Sequence, residues 1–221
     1  SNYFGINIYE IINDKYKLVH KSTSLSTVLK NFEDVFLLTL VLPFFLFIMV
    51  PLSLVILIFQ GRPIFYTQDR VGLNGRYFKI IKFRSMNNNV IGEDELKKLN
   101  KKSKIVFKAT KDPRITKLGS FLRKSSLDEL PQIINVLKNE MSFVGPRPPI
   151  ITEVKQYELK HLKRISVKPG ITGLWQVTLR QDNNFDRWVK KDIEYIENWS
   201  VALDFKILLK TFNEIIGMTG E

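Results

Sequence analysis

The sequence predicts an α+β protein joined to a membrane helix, and three observations predict it. Residues 35–59 are 25 consecutive residues without a charge, VFLLTLVLPFFLFIMVPLSLVILIF. Residues 63–83 alternate apolar and polar side chains around a glycine turn, as a β-hairpin does. Beyond residue 115, apolar residues recur at helical spacing in several short segments. The 221-residue chain thus divides into an N-terminal junction (1–30), a membrane helix (31–60) and a basic soluble domain (61–221).

The apolar run is long enough to cross a bilayer as a helix. Pro43 and Pro51 interrupt it, and each removes a backbone hydrogen bond. Both flanks are basic: Lys15, Lys17, Lys21 and Lys30 before it, and Arg62, Arg70, Arg76, Lys79 and Lys82 after it. Cytoplasmic flanks attract such residues. A re-entrant pair of half-helices keeps both flanks on one side; a kinked span separates them.

In the soluble part, residues 63–68 and 77–83 read as strands and residues 72–75 as their turn. Residues 87–104 read as a polar, Lys-rich surface loop. A short helix is expected over 115–121. Ser126 and Glu129 have the spacing of a capping box. Leu127, Leu130, Ile133, Ile134 and Leu137 then form one helical stripe, with Pro131 early enough to be tolerated. The Gly145-Pro-Arg-Pro-Pro149 run reads as a rigid loop, residues 168–170 as a turn and 171–177 as extended. Helices are expected over 186–199 and 202–216.

The charge balance is 34 Lys+Arg against 22 Asp+Glu, net +12. It calls for an anionic partner: nucleic acid, phospholipid or a phosphorylated substrate. No helix-turn-helix, zinc finger or aromatic–basic pattern supports nucleic acid. No Walker loop, dinucleotide fingerprint or Asp-x-Asp pair is present. The chain has no cysteine, which excludes thiol nucleophiles and thiolate metal sites, and only two histidines, His20 and His161.

A carboxylate is then the nucleophile to consider. Asp128 falls in the first turn of the expected helix, where free amides favour an anion. Opposite the apolar stripe, with Gln132 and Asn135, it can face a site. A held carboxylate can attack phosphorus, although first-turn acids also serve as plain caps. Glu129 beside it can bind a hard cation such as Mg²⁺. Arg123 lies five residues before Asp128. Arg147 sits in the proline-stiffened loop, and Arg forks match phosphate oxygens in pairs. Lys82 ends the second strand and can meet either a phosphate or lipid headgroups. Any of these bases could equally be a solvated surface charge.

These stretches resemble a known family. Val71-Gly-Leu-Asn-Gly75, Phe78-Lys-Ile-Ile-Lys-Phe-Arg-Ser-Met86, Arg123-Lys-Ser-Ser-Leu-Asp-Glu-Leu-Pro-Gln132, Met141-Ser-Phe-Val-Gly-Pro-Arg-Pro148 and Lys168-Pro-Gly-Ile-Thr-Gly-Leu-Trp-Gln-Val177 are similar to motifs of the monotopic polyprenyl-phosphate phosphoglycosyl transferases. The resemblance implies an enzyme of the bacterial inner membrane with its catalytic domain on the cytoplasmic face. It implies transfer of a sugar 1-phosphate from a UDP-sugar to undecaprenyl phosphate, with release of UMP, in surface polysaccharide assembly. It implies Asp128 as nucleophile through a phosphosugar–aspartyl intermediate, Asp128 and Glu129 as Mg²⁺ ligands, and Lys82, Arg123 and Arg147 as phosphate-binding residues. It also implies a re-entrant helix–break–helix with its break near Phe47 and Ile48, whereas the prolines here stand at 43 and 51. Residues 2–7 are similar to the junction of longer members, so the chain is expected to be the catalytic part of a longer protein. Such members favour a hexose such as galactose or glucose, and a homodimer is compatible with the resemblance. The competing reading is a non-enzymatic, basic, membrane-attached interaction module.

Overall fold

A computed structural model describes residues 24–87, 112–180, 182 and 184–217. The expected N-terminal junction falls largely, and the expected loop over 87–104 almost wholly, outside the described residues. Helix α1, Ser24–Gln60, holds 37 residues and contains both prolines. It is about 55 Å long at the standard rise, well beyond one hydrocarbon core. The expected helix–break–helix is therefore a single helical element. A proline removes only its own N–H, and the neighbouring turns keep theirs.

One face of α1 packs on the rest of the chain. Asp34, Leu38, Val41, Phe45, Met49, Leu52 and Ile56 follow one another at intervals of three or four, the spacing of one helical face. Phe45, Met49 and Ile56 join Phe83, Leu122 and Ile133 in a common core, with Leu38, Val41 and Leu52 packed against it. The opposite face is bare: Phe36, Phe47, Val50 and Ile58 are all exposed. Buried charged groups fasten it at Asp34 and at its C-terminal end. Asp34 Oδ1 accepts from Ser142 Oγ at 2.7 Å and from the Phe143 amide at 3.2 Å. At the far end the Arg84 guanidinium donates to the carbonyls of Gln60, of Gly61 at 2.9 Å and of Arg62 at 3.1 Å. Those carbonyls lack partners within the helix, and the cation completes them.

Strands β1 (Phe65–Val71) and β2 (Tyr77–Phe83) form the expected antiparallel hairpin, with Phe65 opposite Phe83 and Val71 opposite Tyr77. Asn74 carries the turn in the left-handed region at φ 55°. Strand β1 starts and ends later than the sequence suggests. Helix α2 is Lys117–Lys124, capped by Thr116, whose side chain accepts from the Gly119 amide at 2.8 Å.

The helix expected after Ser126 is different in kind. Residues Leu127–Gln132 form a 3-10 helix and only Ile133–Leu137 is α-helical, as α3. Ser126 is left-handed at φ 56° and makes no capping bond with its side chain, so the capping box does not form. Pro131 has no N–H for an i→i−4 bond, and the segment tightens to shorter steps. Leu127, Leu130, Ile133 and Ile134 still pack into the core under α1, but Leu137 is exposed.

Strand β3 (Ser142–Val144) runs parallel to β4 (Gly170–Thr172), a pairing too short and too non-local to read from sequence. Extended chain stops at Thr172, not Val177. From Leu174 the backbone turns, and the Leu179 amide bonds the Trp175 carbonyl at 2.7 Å. The turn lets Trp175 stack on Trp188 of helix α5 (Phe185–Glu197), centroids 4.6 Å apart. Between β3 and β4 lie a one-turn helix α4, Ile151–Lys155, and a 3-10 helix, Leu159–Ile165, neither foreseen. Helix α6, Val201–Ile216, closes the described chain.

The β3–β4 crossing fixes the Gly145–Pro149 loop. The Gly145 amide donates to the Thr172 carbonyl at 2.9 Å, and the Gly170 amide to the Pro146 carbonyl at 2.9 Å. A Cβ on Gly170 would stand 2.1 Å from the Gly145 nitrogen. Gly170→Ala is therefore expected to cost about 2–3 kcal/mol of stability, since backbone cannot give as a side chain can. A thermal or denaturant melt of the variant in detergent measures it.

Candidate active site

The site begins with strand β2 and the turn that lies against it. Asn135 is fully buried at the joint. Its amide nitrogen donates to the Lys79 carbonyl at 2.8 Å and to Glu140 at 2.7 Å, and its oxygen accepts from the Ile81 amide at 3.1 Å. One side chain thus pairs with backbone donor and acceptor of the strand and sets the register of the turn against β2. Gln132 and Asn135, which the spacing sets on the same side as Asp128, are buried with it, and Asn135 acts as a strut. Sequence spacing shows which residues share a helical face, but not what that face meets.

The strut brings Lys82 to Glu129. Lys82 Nζ donates to Glu129 Oε1 at 2.5 Å, with both side chains partly exposed. Asp128, next to Glu129, is buried. Burial and the adjoining Glu129 charge raise its carboxyl to about 7, against the pull of Lys82 and Arg123. Burial would raise Glu129 too. The Lys82 charge and hydrogen bond outweigh that, with Arg147 and Arg180 behind them, and hold it below the usual carboxylate range. Two adjacent acids therefore differ in state: Glu129 is the fixed anion, and Asp128 changes charge near neutrality.

The three bases nominated from sequence all act on this dyad. Lys82 and Arg123 work on Asp128, and Lys82 and Arg147 on Glu129. Arg147 leans towards buried Glu153 of α4, 3.7 Å away, while its own side chain stays about a third exposed at 32%. Three neighbours were missed. Arg70 is buried and donates to the Pro148 carbonyl at 2.9 Å and to Gln68 at 2.7 Å, which ties the hairpin to the arginine loop. Burial and the Arg147 charge lower it to about 10. Arg180 pairs with Glu214 of α6 at 2.6 Å, and its charge reaches Glu129. Glu153 anchors Arg147. Nothing in the sequence marks Arg70, Glu153 or Arg180 as neighbours of the dyad.

The arrangement is an anion trap with a buried nucleophile candidate at its base. Arg and Lys charges converge on two carboxylates, more cation than the dyad alone needs. Among the described residues no three His, Cys, Asp or Glu side chains stand together to hold a metal. Mg²⁺ is commonly held by one or two carboxylates plus substrate phosphates. Asp128 and Glu129 fit that donor set, and a cation there would offset the repulsion that raises Asp128.

The family description "Bacterial sugar transferase" matches residues 25–218. The chain is 47% identical over 166 residues to galactosyl transferase CpsE of Streptococcus agalactiae serotype III (strain NEM316), covering 73% of this chain and 36% of that one. It is 43% identical over 168 residues to the undecaprenyl-phosphate galactose phosphotransferase of Salmonella typhimurium (strain LT2), covering 73% and 35%. It is 38% identical over 198 residues to the UDP-glucose:undecaprenyl-phosphate glucose-1-phosphate transferase of Escherichia coli (strain K12), covering 86% and 40%. The matched region spans little more than a third of each of these relatives. The chain belongs to the bacterial sugar transferase family, a family of enzymes.

Asp128 carries a stability signature. Its folded pKa of about 7 lies above the unfolded value near 4, so the unfolded state loses its proton first. The folded state is therefore penalised increasingly as pH rises from 4 to 7, and fully above 7. Asp128→Asn is expected to raise stability at pH 8, on the order of 1–3 kcal/mol, and to have little effect at pH 4. Melting curves of both proteins across that range check it.

Proposed function

We propose that the chain carries the catalytic machinery that moves a sugar 1-phosphate from a UDP-sugar to undecaprenyl phosphate, releasing UMP. The observation that carries this reading is the buried Asp128 beside a Lys82-held Glu129, ringed by Arg70, Arg123, Arg147 and Arg180. The galactose and glucose phosphotransferases among its relatives support a UDP-hexose donor.

In the first step an Asp128 carboxylate oxygen attacks the β-phosphorus of the UDP-sugar. The bond from that phosphorus to the oxygen bridging the two phosphates breaks, and its electron pair leaves on UMP. The sugar phosphate is then an acyl phosphodiester on Asp128. In the second step a phosphate oxygen of undecaprenyl phosphate attacks the same phosphorus, the Asp128–phosphorus bond breaks, and the carboxylate is restored. Lys82 and the arginines hold the non-bridging oxygens in line and neutralise charge as it develops. Glu129, kept ionised by Lys82, would hold the metal together with Asp128. Mg²⁺ bound by the dyad and the diphosphate would neutralise leaving-group charge and favour ionised Asp128.

The membrane helix is read as re-entrant, bent at Pro43 and Pro51 within its continuous helical run, with the catalytic domain on the cytoplasmic face. Supporting this, α1 packs on the domain from Asp34 to Ile56 and is fastened there at Asp34 and at its C-terminal end. A helix standing upright across a bilayer would leave one half without protein neighbours. The bare apolar face then meets lipid.

Three outcomes are expected. Asp128→Asn should lower UMP release, measured with a panel of UDP-sugars and undecaprenyl phosphate, by ~10⁴-fold; full activity would exclude the aspartyl route. A non-enzymatic module would release no UMP with any donor. Because attack needs the ionised form, which Mg²⁺ would favour, the wild-type rate should climb with pH to a midpoint below about 7 and then level. The chain has no native cysteine, so single cysteines at Lys21 and Arg62 can report topology. Both should label from the cytoplasm; labelling on opposite faces would establish a span.

A further inference from the structure

Asp34 lies where α1 passes strand β3, and its side chain is 5% exposed. A buried carboxylate at a seam of apolar side chains is costly unless its bonds are made. Here one oxygen, Oδ1, makes its bonds to one short stretch, while Oδ2 is buried with no hydrogen-bond partner among the described residues. Oδ1 accepts from Ser142 Oγ at 2.7 Å and from the Phe143 amide at 3.2 Å. Lys30, one turn back, stands 3.8 Å from the same oxygen and reaches across to buried Asp204 of α6. The carboxylate is oriented from the helix side as well as from the strand side.

The strand it holds leads straight into the arginine loop. Phe143 is four residues before Arg147, and little slack lies between them. The Gly145 amide is bonded to Thr172, and the Pro146 carbonyl accepts from Gly170. The Pro148 carbonyl accepts from Arg70, and the Pro149 carbonyl from the Val71 amide at 2.9 Å. A shift of β3 would therefore move the Arg147 loop instead of being absorbed in it. An apolar contact at residue 34 would fill the seam as well, but would not define a distance; hydrogen bonds from a charge do.

We propose that Asp34 is a positioning residue: by holding Ser142 and Phe143 it sets the place of Arg147, so the seat of the membrane helix and the grip on substrate phosphate are one adjustment. The inference rests on the phosphate-transfer reading of Arg147.

The test uses the whole chain in lipid nanodiscs, with Asp34→Ala, Asp34→Asn, Ser142→Ala and Arg147→Ala. Hydrogen exchange of the amides over 143–147 should quicken about tenfold in Asp34→Ala. Asp34→Asn keeps an acceptor oxygen, so it should stay near wild type. For turnover, Asp34→Ala should raise the KM for the UDP-sugar by about tenfold with kcat changed far less. On an Arg147→Ala background the same change should add nothing, because the two residues act as one unit. Should Asp34→Ala fail to fold, Ser142→Ala removes one of the two bonds and carries the same readouts at smaller size. Unchanged exchange at 143–147, or KM effects that multiply with Arg147→Ala, would overturn the proposal and leave Asp34 an ordinary packing contact. A wild-type chain inert toward every UDP-sugar would instead remove the functional reading, while the exchange result would still decide whether Asp34 holds the loop.

Discussion

Two adjacent carboxylates, one of them buried, set the problem that the site is built around. Like charges on neighbouring residues repel, and burial removes the water that would screen them. The chain meets this with one close cation and several more distant ones. Lys82 takes Glu129 at hydrogen-bond range, and the arginines surround the pair at longer range. What remains uncompensated falls on Asp128, whose carboxyl rises to about 7. A carboxyl that is poorly solvated and costly to ionise is the chemical result.

Much of the surrounding structure serves to hold that pair in place. Asn135 fixes the turn to β2 so that Lys82 arrives at Glu129. The parallel β3–β4 contact, where only glycine fits, fixes the arginine loop. Arg70 spans the two by bonding the Pro148 carbonyl from the hairpin side. The site is thus assembled from three separate stretches, near residues 70–82, 123–135 and 145–180. None can shift alone without disturbing the charge balance of the dyad.

The membrane helix belongs to the same assembly. Its inner face supplies the apolar floor under β2 and the turn that carries Asp128, through Ile56, Phe83, Leu122 and Ile133. Its outer face is bare and apolar. Fastening by Asp34 and Arg84 spends buried charge at the seam, where apolar contact alone would let the helix slide. The net charge of +12 then has two uses: some of it flanks the apolar helix, and some of it converges on the dyad.

The sequence by itself determined the apolar helix, the hairpin with its Asn74 turn and the two C-terminal helices, and it nominated Asp128 and Glu129 together with three bases whose charges converge on them. Each is a local matter of period, composition or motif. The tertiary structure decided the rest. Ser126 and Glu129 have capping-box spacing, yet Glu129 bonds Lys82, because a charged partner 47 residues away outcompetes a local amide. The stripe from Leu127 to Leu137 signalled a helix, yet Pro131 and packing under α1 made its first half 3-10. Gln132 and Asn135 share the side of Asp128 by spacing, and all three are buried, because burial depends on what lies opposite. Arg70, Glu153 and Arg180 were invisible as site residues, since nothing in a linear sequence says which distant cations share a field. Helical continuity through Pro43 and Pro51 was likewise decided by the protein face that supports α1, not by the prolines themselves.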